Sequence, residues 1–311
     1  MSKTGFVFPG QGSQRTGMLG ALALQHRSIR DTFAEASEVL SMDLWNIVSE
    51  NPNEILDQTH ITQPALLTAS VAIWRLWLAQ GNAAPDILAG HSLGEYSALT
   101  CSGVLSLQDA VLLVHRRGQY MQEAVSYGTG GMAAILGLDD EKIAEVCAQV
   151  AQGAVVSPAN FNSIGQTVIA GEKAAVERAM QACKDAGAKR ALPLNVSVPS
   201  HCALMKPAAE KLTHDLNNVQ FNSPSIPVVQ NVDGRIASGS DEIKQNLLQQ
   251  LYLPVQWVKS VRTMWELGNG ILVECGPGKV LGGLIKRIEP QIQTFSTEDP
   301  ESLAEAMQAA A

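Results

Sequence analysis

The feature that most constrains the fold is a G-x-S-x-G pattern between a strand-like and a helix-like segment. Residues 85–89 indicate a short buried strand, Gly-His-Ser-Leu-Gly follows at 90–94, and a helical stretch begins at Glu95. A sharp strand-to-helix turn forces its serine into a strained backbone, and glycine on either side removes the side chains that would collide there. The pattern therefore predicts an exposed serine hydroxyl, that of Ser92, at the start of a helix.

Strands and helices alternate through the first part of the chain. Residues 5–9 indicate a short buried strand, and residues 31–39, 65–78 and 107–121 favour helices. Pro64 suits the first turn of the helix at 65–78, because the N–H that proline lacks has no helical partner in a first turn. This alternation predicts an α/β fold with a largely parallel sheet.

The middle of the chain follows a different pattern, which begins at a glycine-rich segment. Its elements are strand 132–136, helix 139–149, strands 155–157 and 166–170, helix 173–186 and strand 189–196. The order β-α-β-β-α-β is that of the ferredoxin-like fold. We therefore predict a ferredoxin-like small domain at 128–197, inserted into a large α/β catalytic domain that is formed by 1–127 and 198–311.

Composition and charge exclude several classes of function. No apolar run in the 311 residues approaches the roughly 20 that a membrane helix needs, and the N-terminal segment lacks the charged and then apolar build of a secretory signal. The net charge of −8 disfavours nucleic acid as a partner. Five scattered cysteines without C-x-x-C spacing argue against disulfides and zinc. We expect a cytoplasmic protein with no membrane association and no metal site.

Ser92 is the candidate nucleophile, and it needs a general base. Among the six histidines, His201 is favoured because it lies in the loop where the large domain is predicted to resume, and cleft residues collect at such junctions. His91 neighbours the serine, but adjacent side chains in a turn usually point apart. The sequence offers no obvious triad acid, because three aspartates between the two residues lie on or beside the small domain's helices, namely Asp139, Asp140 and Asp185. The N–H of Leu93 points at the developing oxyanion.

Arg117 lies in an apolar stripe of the predicted helix 107–121. A guanidinium in such a stripe needs an anionic partner. That partner is either a glutamate, in a structural ion pair, or the carboxylate of a substrate, held by two parallel N–H···O bonds. The sequence alone leaves both interpretations open.

Two glycine-rich segments resemble nucleotide-binding loops without completing them. The segment at 10–15 has Arg15 where the third glycine of a dinucleotide loop belongs. The segment Gly-Pro-Gly-Lys-Val at 276–280 lacks the earlier glycine of a phosphate loop, and it has no serine or threonine after the lysine. We therefore reject a nucleotide-binding site at either segment.

The motifs together resemble those of one family. They are Gly-Gln-Gly-Ser-Gln at 10–14, Gln63-Pro64, Gly-His-Ser-Leu-Gly-Glu at 90–95, Arg117, Val-Pro-Ser-His at 198–201, Pro-Val-Gln-Trp at 254–257 and Gly-Pro-Gly-Lys at 276–279. In this order, from the first strand to about residue 290, they resemble the malonyl-CoA:acyl carrier protein transacylases. Each motif is modest alone, but the ordered set is highly specific.

The resemblance implies a fold and a reaction. The fold is α/β, with a hydrolase-like core, a largely parallel sheet and an inserted ferredoxin-like small domain. The reaction moves a malonyl group from malonyl-CoA to the phosphopantetheine thiol of acyl carrier protein, through a malonyl-Ser92 ester, in fatty acid biosynthesis. Malonyl-CoA is a substrate, and no cofactor is implied. An acidic carrier protein would need a local basic patch on a chain whose net charge is −8.

The resemblance also assigns roles to residues. Ser92 is the nucleophile and His201 its base. The backbone N–H groups of Gln11 and Leu93 form the oxyanion hole. Arg117 binds the malonyl carboxylate, and the main-chain carbonyl of Gln250 orients the histidine. Three further residues are expected to line the cleft, namely Gln63, Asn160 and Asn162.

Two rival hypotheses stay open beside this one. A serine esterase or thioesterase could use a similar core, since fold does not decide between them. Whether water or a thiol resolves the acyl-serine distinguishes a hydrolase from a transferase. A non-catalytic acyl-binding module is disfavoured because Ser92, His201 and Arg117 occur together.

Overall fold

The structure of the protein is a computed structural model that describes residues 3–196 and 198–311. Met1 and Ser2, at the start of the predicted large domain, and Ser197, the last residue of the predicted small domain, lie outside the described residues. In the described part of the chain, no helix combines the length and the apolar character that crossing a membrane requires.

The strands and helices are numbered in chain order. The strands are β1 Lys3–Phe8, β2 Ile87–Gly90, β3 Gly130–Leu136, β4 Val156–Ser163, β5 Gln166–Glu172, β6 Arg190–Pro193, β7 Val228–Val229, β8 Asn269–Glu274 and β9 Gln293–Ser296. The helices are α1 Gly20–Gln25, α2 Arg27–Leu40, α3 Leu44–Glu50, α4 Thr59–Ala79, α5 Leu93–Cys101, α6 Leu107–Glu123, α7 Asp140–Val150, α8 Lys173–Asp185, α9 Lys206–Asn218, α10 Ser240–Gln250, α11 Trp257–Glu266, α12 Val280–Ile288 and α13 Pro300–Ala310. Short 3-10 helices lie at Pro52–Asp57 and Ala203–Met205.

One sheet is parallel throughout, with its strands in the order β7-β2-β1-β8-β9. The side chains of the central strand β1 enter apolar cores on both faces of the sheet: Phe6 and Phe8 belong to one core and Val7 to the other. Burial on both faces explains why this strand is a continuous apolar run rather than an alternating one. The predicted α/β fold with a largely parallel sheet is confirmed.

The register of this sheet brings the ends of three strands to one edge. Phe8 of β1 lies opposite Gly90 of β2, and Val7 lies opposite Glu274 of β8. Loops that follow the carboxyl ends of parallel strands meet outside that edge, which is where such sheets bind their ligands. The turn that carries Ser92 is one of these loops.

The other sheet is antiparallel, with its strands in the order β4-β5-β3-β6, and α7 and α8 pack on it. The predicted β-α-β-β-α-β order is confirmed. Strand β4 also contacts the rest of the molecule. The N–H of Phe161 donates to the carbonyl of Val255 at 3.0 Å, and the N–H of Val255 donates to the carbonyl of Ala159 at 2.9 Å. The domain limits, 1–127 with 198–311 and 128–197, stay a prediction.

The prediction that Pro64 begins a helix is wrong. Helix α4 begins at Thr59, so the proline lies inside it. An interior proline leaves the carbonyl four residues earlier without its helical N–H, and here that carbonyl belongs to His60. The ring Nδ1 of His115 lies 2.7 Å from the His60 carbonyl oxygen and replaces the missing donor. The helix therefore continues through Pro64, and nearly all of its length is buried.

Candidate active site

Ser92 lies on a tight turn between β2 and α5. Its backbone angles, φ 52° and ψ −107°, fall in a region that residues other than glycine rarely adopt. A Cβ on Gly90 would lie 1.9 Å from the carbonyl carbon of Gly94, and one on Gly94 would lie 2.0 Å from the carbonyl oxygen of Phe8. Only glycine fits at either position. Helix α5 begins at Leu93, two residues earlier than predicted, so Ser92 stands directly at the positive end of the helix.

His201 reaches Ser92 from the loop that precedes α9. Its Nε2 lies 2.8 Å from the serine Oγ, and its Nδ1 lies 2.6 Å from the main-chain carbonyl oxygen of Gln250. Because a carbonyl only accepts, Nδ1 carries the ring proton and Nε2 can accept one. Within residues 3–196 and 198–311, no carboxylate hydrogen-bonds to this ring. The arrangement is a serine–histidine pair without a third acid.

The surroundings of the His201 ring favour its neutral form. The residue is only 3% exposed. Burial, and after it the positive charge of Arg117, lower the pKa of His201 to about 3, although the Gln250 carbonyl acts in the opposite direction. The imidazole is therefore unprotonated at neutral pH, which is the form that can take a proton from a hydroxyl.

Arg117 is buried at 1% exposure on α6, beside the serine. Its Nη1 donates to the side-chain oxygen of Gln63 at 2.7 Å, and its Nη2 donates to that of Gln250 at 2.9 Å and to Ser92 Oγ at 3.3 Å. These acceptors are neutral. In the described part of the chain, no carboxylate contacts the guanidinium directly. Of the two partners that the sequence leaves open, the direct ion pair with a glutamate is absent from these residues.

A cleft of about 250 Å³ opens beside the serine and the histidine. Gln11 and Leu93 line it, and none of the turn, loop or side-chain hydrogen bonds in the described part uses their backbone N–H groups. Asn160 and Asn162 line the cleft from β4, and the side-chain oxygen of Asn162 lies 2.8 Å from Nε2 of His91. Gln63 is instead buried behind Arg117, away from the cleft wall.

The side chain of Gln250 does more than the sequence predicts. The resemblance assigns a role only to its main-chain carbonyl. Its side-chain nitrogen donates to the carbonyl oxygen of Ser92 at 2.9 Å, while its side-chain oxygen accepts from Arg117. One residue therefore orients the histidine, the arginine and the serine turn.

Glu95 and Asn231 belong to the site as well, although neither is predicted from the sequence to have a role. Glu95 is fully buried. Asn231 makes two hydrogen bonds with the backbone of the serine turn. Its side-chain oxygen accepts from the Ser92 N–H at 2.7 Å, and its side-chain nitrogen donates to the Gly90 carbonyl at 2.6 Å. The sequence does contain a signal for Glu95, because an acidic residue among the apolar residues at the start of a helix indicates a buried carboxylate. Nothing local marks Asn231, which is 139 positions from the serine.

Neither a metal nor a nucleotide has an obvious place among the described residues. They contain no group of three or more His, Cys, Asp or Glu side chains that could hold a metal ion. At the loop that resembles a phosphate loop, the buried carboxylate of Glu274 accepts the N–H groups of Val280, Leu281 and Gly282 at 3.1, 3.0 and 2.9 Å. The start of α12 is therefore already filled by an internal anion.

Known proteins are similar to this chain in sequence and in fold. A family model described as "Acyl transferase domain" matches residues 5–295. The chain is 57% identical over 308 residues to the malonyl CoA-acyl carrier protein transacylase of Escherichia coli strain K12, covering 99% of this chain and 100% of the relative. It is 44% identical over 309 residues to the transacylase of that name from Bacillus subtilis strain 168, covering 99% and 97%.

Solved structures agree with the sequence relatives. A malonyl-CoA:acyl carrier protein transacylase from Xanthomonas oryzae pv. oryzae superposes with a TM-score of 0.97 at 52% identity, covering 99% of this chain and 98% of that one. A malonyl-transacylase in complex with its type II PKS acyl-carrier protein gives a TM-score of 0.98 at 56% identity, covering 99% and 100%. These structures share the fold over nearly the whole chain.

Proposed function

This chain belongs to the malonyl CoA-acyl carrier protein transacylases, and we propose that it transfers a malonyl group from malonyl-CoA to the phosphopantetheine thiol of acyl carrier protein in fatty acid biosynthesis. The observation that carries the proposal is the position of Arg117. Its buried guanidinium lies 3.3 Å from Ser92 Oγ and has only neutral acceptors. A carboxylate one carbon away from a thioester carbonyl, as in malonyl-CoA, would reach this cation while Ser92 attacks the carbonyl.

The first half-reaction begins with His201. Its Nε2 takes the proton of Ser92 Oγ, and the oxygen forms a bond to the thioester carbon. The carbonyl oxygen becomes an oxyanion, which the N–H groups of Gln11 and Leu93 stabilise at the positive start of α5. The carbon–sulfur bond then breaks, the proton passes from the imidazolium to the leaving thiolate, and coenzyme A departs from a malonyl-Ser92 ester.

Substrate binding makes His201 a better base. The positive charge of Arg117 is the second cause, after burial, of the low pKa of this ring. A malonyl carboxylate paired with Arg117 offsets that charge, so the pKa of His201 rises when the substrate arrives. Nδ1 keeps its bond to the Gln250 carbonyl and stabilises the imidazolium that forms.

The second half-reaction reverses the first with another thiol. The phosphopantetheine thiol of the carrier protein enters the cleft beside Asn160 and Asn162, gives its proton to His201 and attacks the serine ester. The same N–H groups hold the second oxyanion, and the proton returns to Ser92 Oγ as the carbon–oxygen bond breaks. The imidazole and the oxyanion hole supply proton transfer and charge stabilisation, so the reaction needs no cofactor or metal.

We also propose a cytoplasmic location and two domains, with limits at 1–127 plus 198–311 and at 128–197. The five cysteines, all buried and none in a disulfide within the described residues, support a reducing compartment. The separate antiparallel sheet with its own apolar core supports the small domain.

The test is a mass spectrum of the protein after incubation with malonyl-CoA. We expect a malonyl adduct on the wild type and none on Ser92→Ala, which removes the nucleophile. Addition of holo acyl carrier protein should clear the adduct and produce malonyl carrier protein. A stable adduct on Ser92→Ala contradicts the assignment of the nucleophile. Clearance by water at the same rate without carrier protein would favour a thioesterase.

A further inference from the structure

Glu95 is a buried carboxylate that the mechanism above does not use. It lies in the first turn of α5, three residues after Ser92, and is 0% exposed. Its Oε2 accepts two hydrogen bonds, from the backbone N–H of Asn231 at 3.0 Å and from the side-chain nitrogen of Gln250 at 2.9 Å. Its Oε1 has no hydrogen-bond partner among the described residues.

The partners of Glu95 connect it to every reacting group. Gln250 contacts Arg117 with its side-chain oxygen and His201 with its main-chain oxygen. Asn231 holds the N–H of Ser92. Glu95 is therefore connected to the nucleophile, its base and the guanidinium through one intervening residue each. The side-chain amide of Gln250 separates it from Arg117.

The charges of the site balance only while the acyl group is absent. Arg117 carries one positive charge and binds neutral amide oxygens, and Glu95 is the carboxylate one amide away from it. A malonyl carboxylate adds a second negative charge to the same buried region. Like charges at close range disfavour each other's ionised forms, and burial strengthens that effect.

We propose that Glu95 is a positioning and specificity-determining residue that balances the charge of Arg117 in the empty site and takes up one proton from solvent when a carboxylate-bearing acyl group binds Arg117. The inference rests on the proposed malonyl transfer and deepens it. The proton goes to Oε1, the oxygen without a partner, so that Oε2 keeps both of its N–H donors. A neutral acyl group such as acetyl brings no charge and causes no proton uptake.

The acidity of Glu95 is consistent with this role. Burial raises its pKa to about 7, while the bonds from Gln250 and Asn231 and the charge of Arg117 act in the opposite direction. Among the described residues, the other titratable groups that act on it are Asp233, after β7, and Tyr96 of its own helix. A bound malonyl carboxylate would raise the pKa of Glu95 further, so binding is accompanied by proton uptake near neutral pH and weakens as pH rises.

The decisive measurement is kcat/KM for malonyl-CoA and for acetyl-CoA across pH, expressed as their ratio. Because kcat/KM refers both substrates to the same free enzyme, dividing the two cancels the titration of free His201 and of the coenzyme A part that both substrates share. In the wild type we expect the malonyl-to-acetyl ratio to fall by about ten-fold between about pH 6 and pH 8.5, since uptake of one proton changes an equilibrium by at most ten-fold per pH unit.

The Glu95→Gln variant separates charge from hydrogen bonding. Both N–H donors contact a single oxygen of Glu95, so an amide oxygen in that place keeps them, and the amide nitrogen occupies the unpartnered position. We expect the ratio in this variant to be independent of pH and equal to the low-pH limit of the wild type. A purely structural role for Glu95 would leave the slope unchanged. Asp233→Asn is the matched control: the ratio should still fall with pH, and the fall should shift to lower pH because the charge of Asp233 raises the pKa of Glu95.

Each outcome decides between the two proposals. A wild type that transfers no malonyl overturns the proposed function and this inference with it. An active wild type whose ratio is flat overturns the inference alone, whether or not the variant folds. A ratio that still falls with pH in a folded Glu95→Gln protein assigns the titration to another group and also overturns it.

Discussion

Two strand-to-helix junctions flank the central strand β1 at the carboxyl edge of the parallel sheet. One runs from β2 through Ser92 into α5, and the other runs from β8 through a Gly-Pro-Gly-Lys segment into α12. Both turns contain glycine, and both helices begin close to the carboxyl end of the strand that precedes them. Only the first junction ends in a reactive side chain that faces the cleft.

The difference lies in what occupies the start of each helix. At α12, Glu274 fills the position, because its carboxylate accepts three of the first N–H groups. At α5, Leu93 lines the cleft beside Ser92, and no turn, loop or side-chain hydrogen bond of the described residues uses its N–H; the acid of that turn, Glu95, is buried and bonds to Gln250. When the first N–H groups of a helix bond to a side chain of the same chain, they have a structural role. When they have no such partner, they can stabilise negative charge that develops on a substrate.

The same contrast gives a physical reason for rejecting a phosphate loop at 276–280. A phosphate would need the N–H groups that Glu274 already holds, and it would meet a carboxylate instead. Lys279, the residue that suggests a phosphate ligand, lies 3.4 Å from Glu298 in an ion pair.

The largest effect is expected at the open junction, from Arg117→Ala. A buried charge pair that loses one partner costs about 2–5 kcal/mol, which corresponds to roughly 30- to 4,000-fold in malonyl transfer. Acetyl transfer should fall less or rise, because the neutral acetyl group does not use the guanidinium. The measurement is kcat/KM for both acyl-CoA substrates.

Arg117→Lys is the matched variant for this prediction. Lysine keeps the charge but cannot form two parallel hydrogen bonds with a carboxylate, so it should restore little malonyl transfer. Equal losses for malonyl and acetyl in Arg117→Ala would contradict a role in carboxylate binding and would favour a role in the fold.

A second prediction compares a glycine from the helix of each junction. In Gly94→Ala the new Cβ would lie 2.0 Å from the carbonyl oxygen of Phe8, so β1 or α5 must move. We expect a loss of about 3 kcal/mol in the free energy of unfolding, with loss of the malonyl adduct. At Gly283 of α12 no atom lies within 4 Å of an added Cβ. Gly283→Ala should therefore stabilise the protein by about 0.5–1 kcal/mol, as alanine does in a helix interior.

Chemical unfolding of both alanine variants beside the wild type checks this prediction. Similar stabilities for the two would mean that the close approach at Gly94 does not constrain the serine turn.

A third prediction concerns the filled junction. Glu274→Gln keeps the shape of the side chain, but its amide nitrogen would face a backbone N–H and leave that donor unpaired. An unpaired buried donor costs about 1–3 kcal/mol of stability. Thermal unfolding should report this loss, while kcat for malonyl transfer stays near the wild-type value because the carboxyl group of Glu274 bonds to backbone N–H groups of α12 and not to Ser92, His201 or Arg117. Glu301→Gln, an exposed acid in the first turn of α13, is the control and should change little.

The sequence could predict the parts of the site that depend on local constraints. The strained turn at Ser92 requires glycine at fixed spacing, and that spacing is visible along the chain. Pairing of His201 with a main-chain carbonyl came from the family resemblance, since one carbonyl has no sequence signature. The side-chain bonds of Asn231 and Gln250 could not be predicted, because they join positions more than 100 residues from Ser92. The expected helix start at Pro64 is wrong for the opposite reason: the local rule for proline does not hold where a distant side chain, His115, replaces the missing donor.

The smallest effect is expected where α12 ends. Its last turn carries Lys286 and Arg287, and the Arg287 guanidinium donates to the side-chain oxygen of Gln166 at 2.6 Å. Gln166 lies opposite Leu136 in the antiparallel sheet, and Leu136 lies opposite Arg190. The basic pair at 286–287 and the pair at 189–190 therefore occupy the same end of that sheet. Because the net charge of the whole chain is −8, we predict that an acidic carrier protein docks at this local positive charge.

Reversal of the pair Lys286→Glu with Arg287→Glu should raise the KM for carrier protein by roughly 2- to 10-fold, because each exposed charge contributes up to about 1 kcal/mol. The KM for malonyl-CoA should stay unchanged, and added salt should weaken carrier protein binding to the wild type selectively. Lys142→Glu, on the exposed side of α7, is the control. An unchanged KM for carrier protein removes the pair from the docking surface. An equal rise in KM for carrier protein and for malonyl-CoA would instead mean that these charges bind the phosphates of coenzyme A. In that case α12, the helix of the filled junction, would have a role in substrate binding.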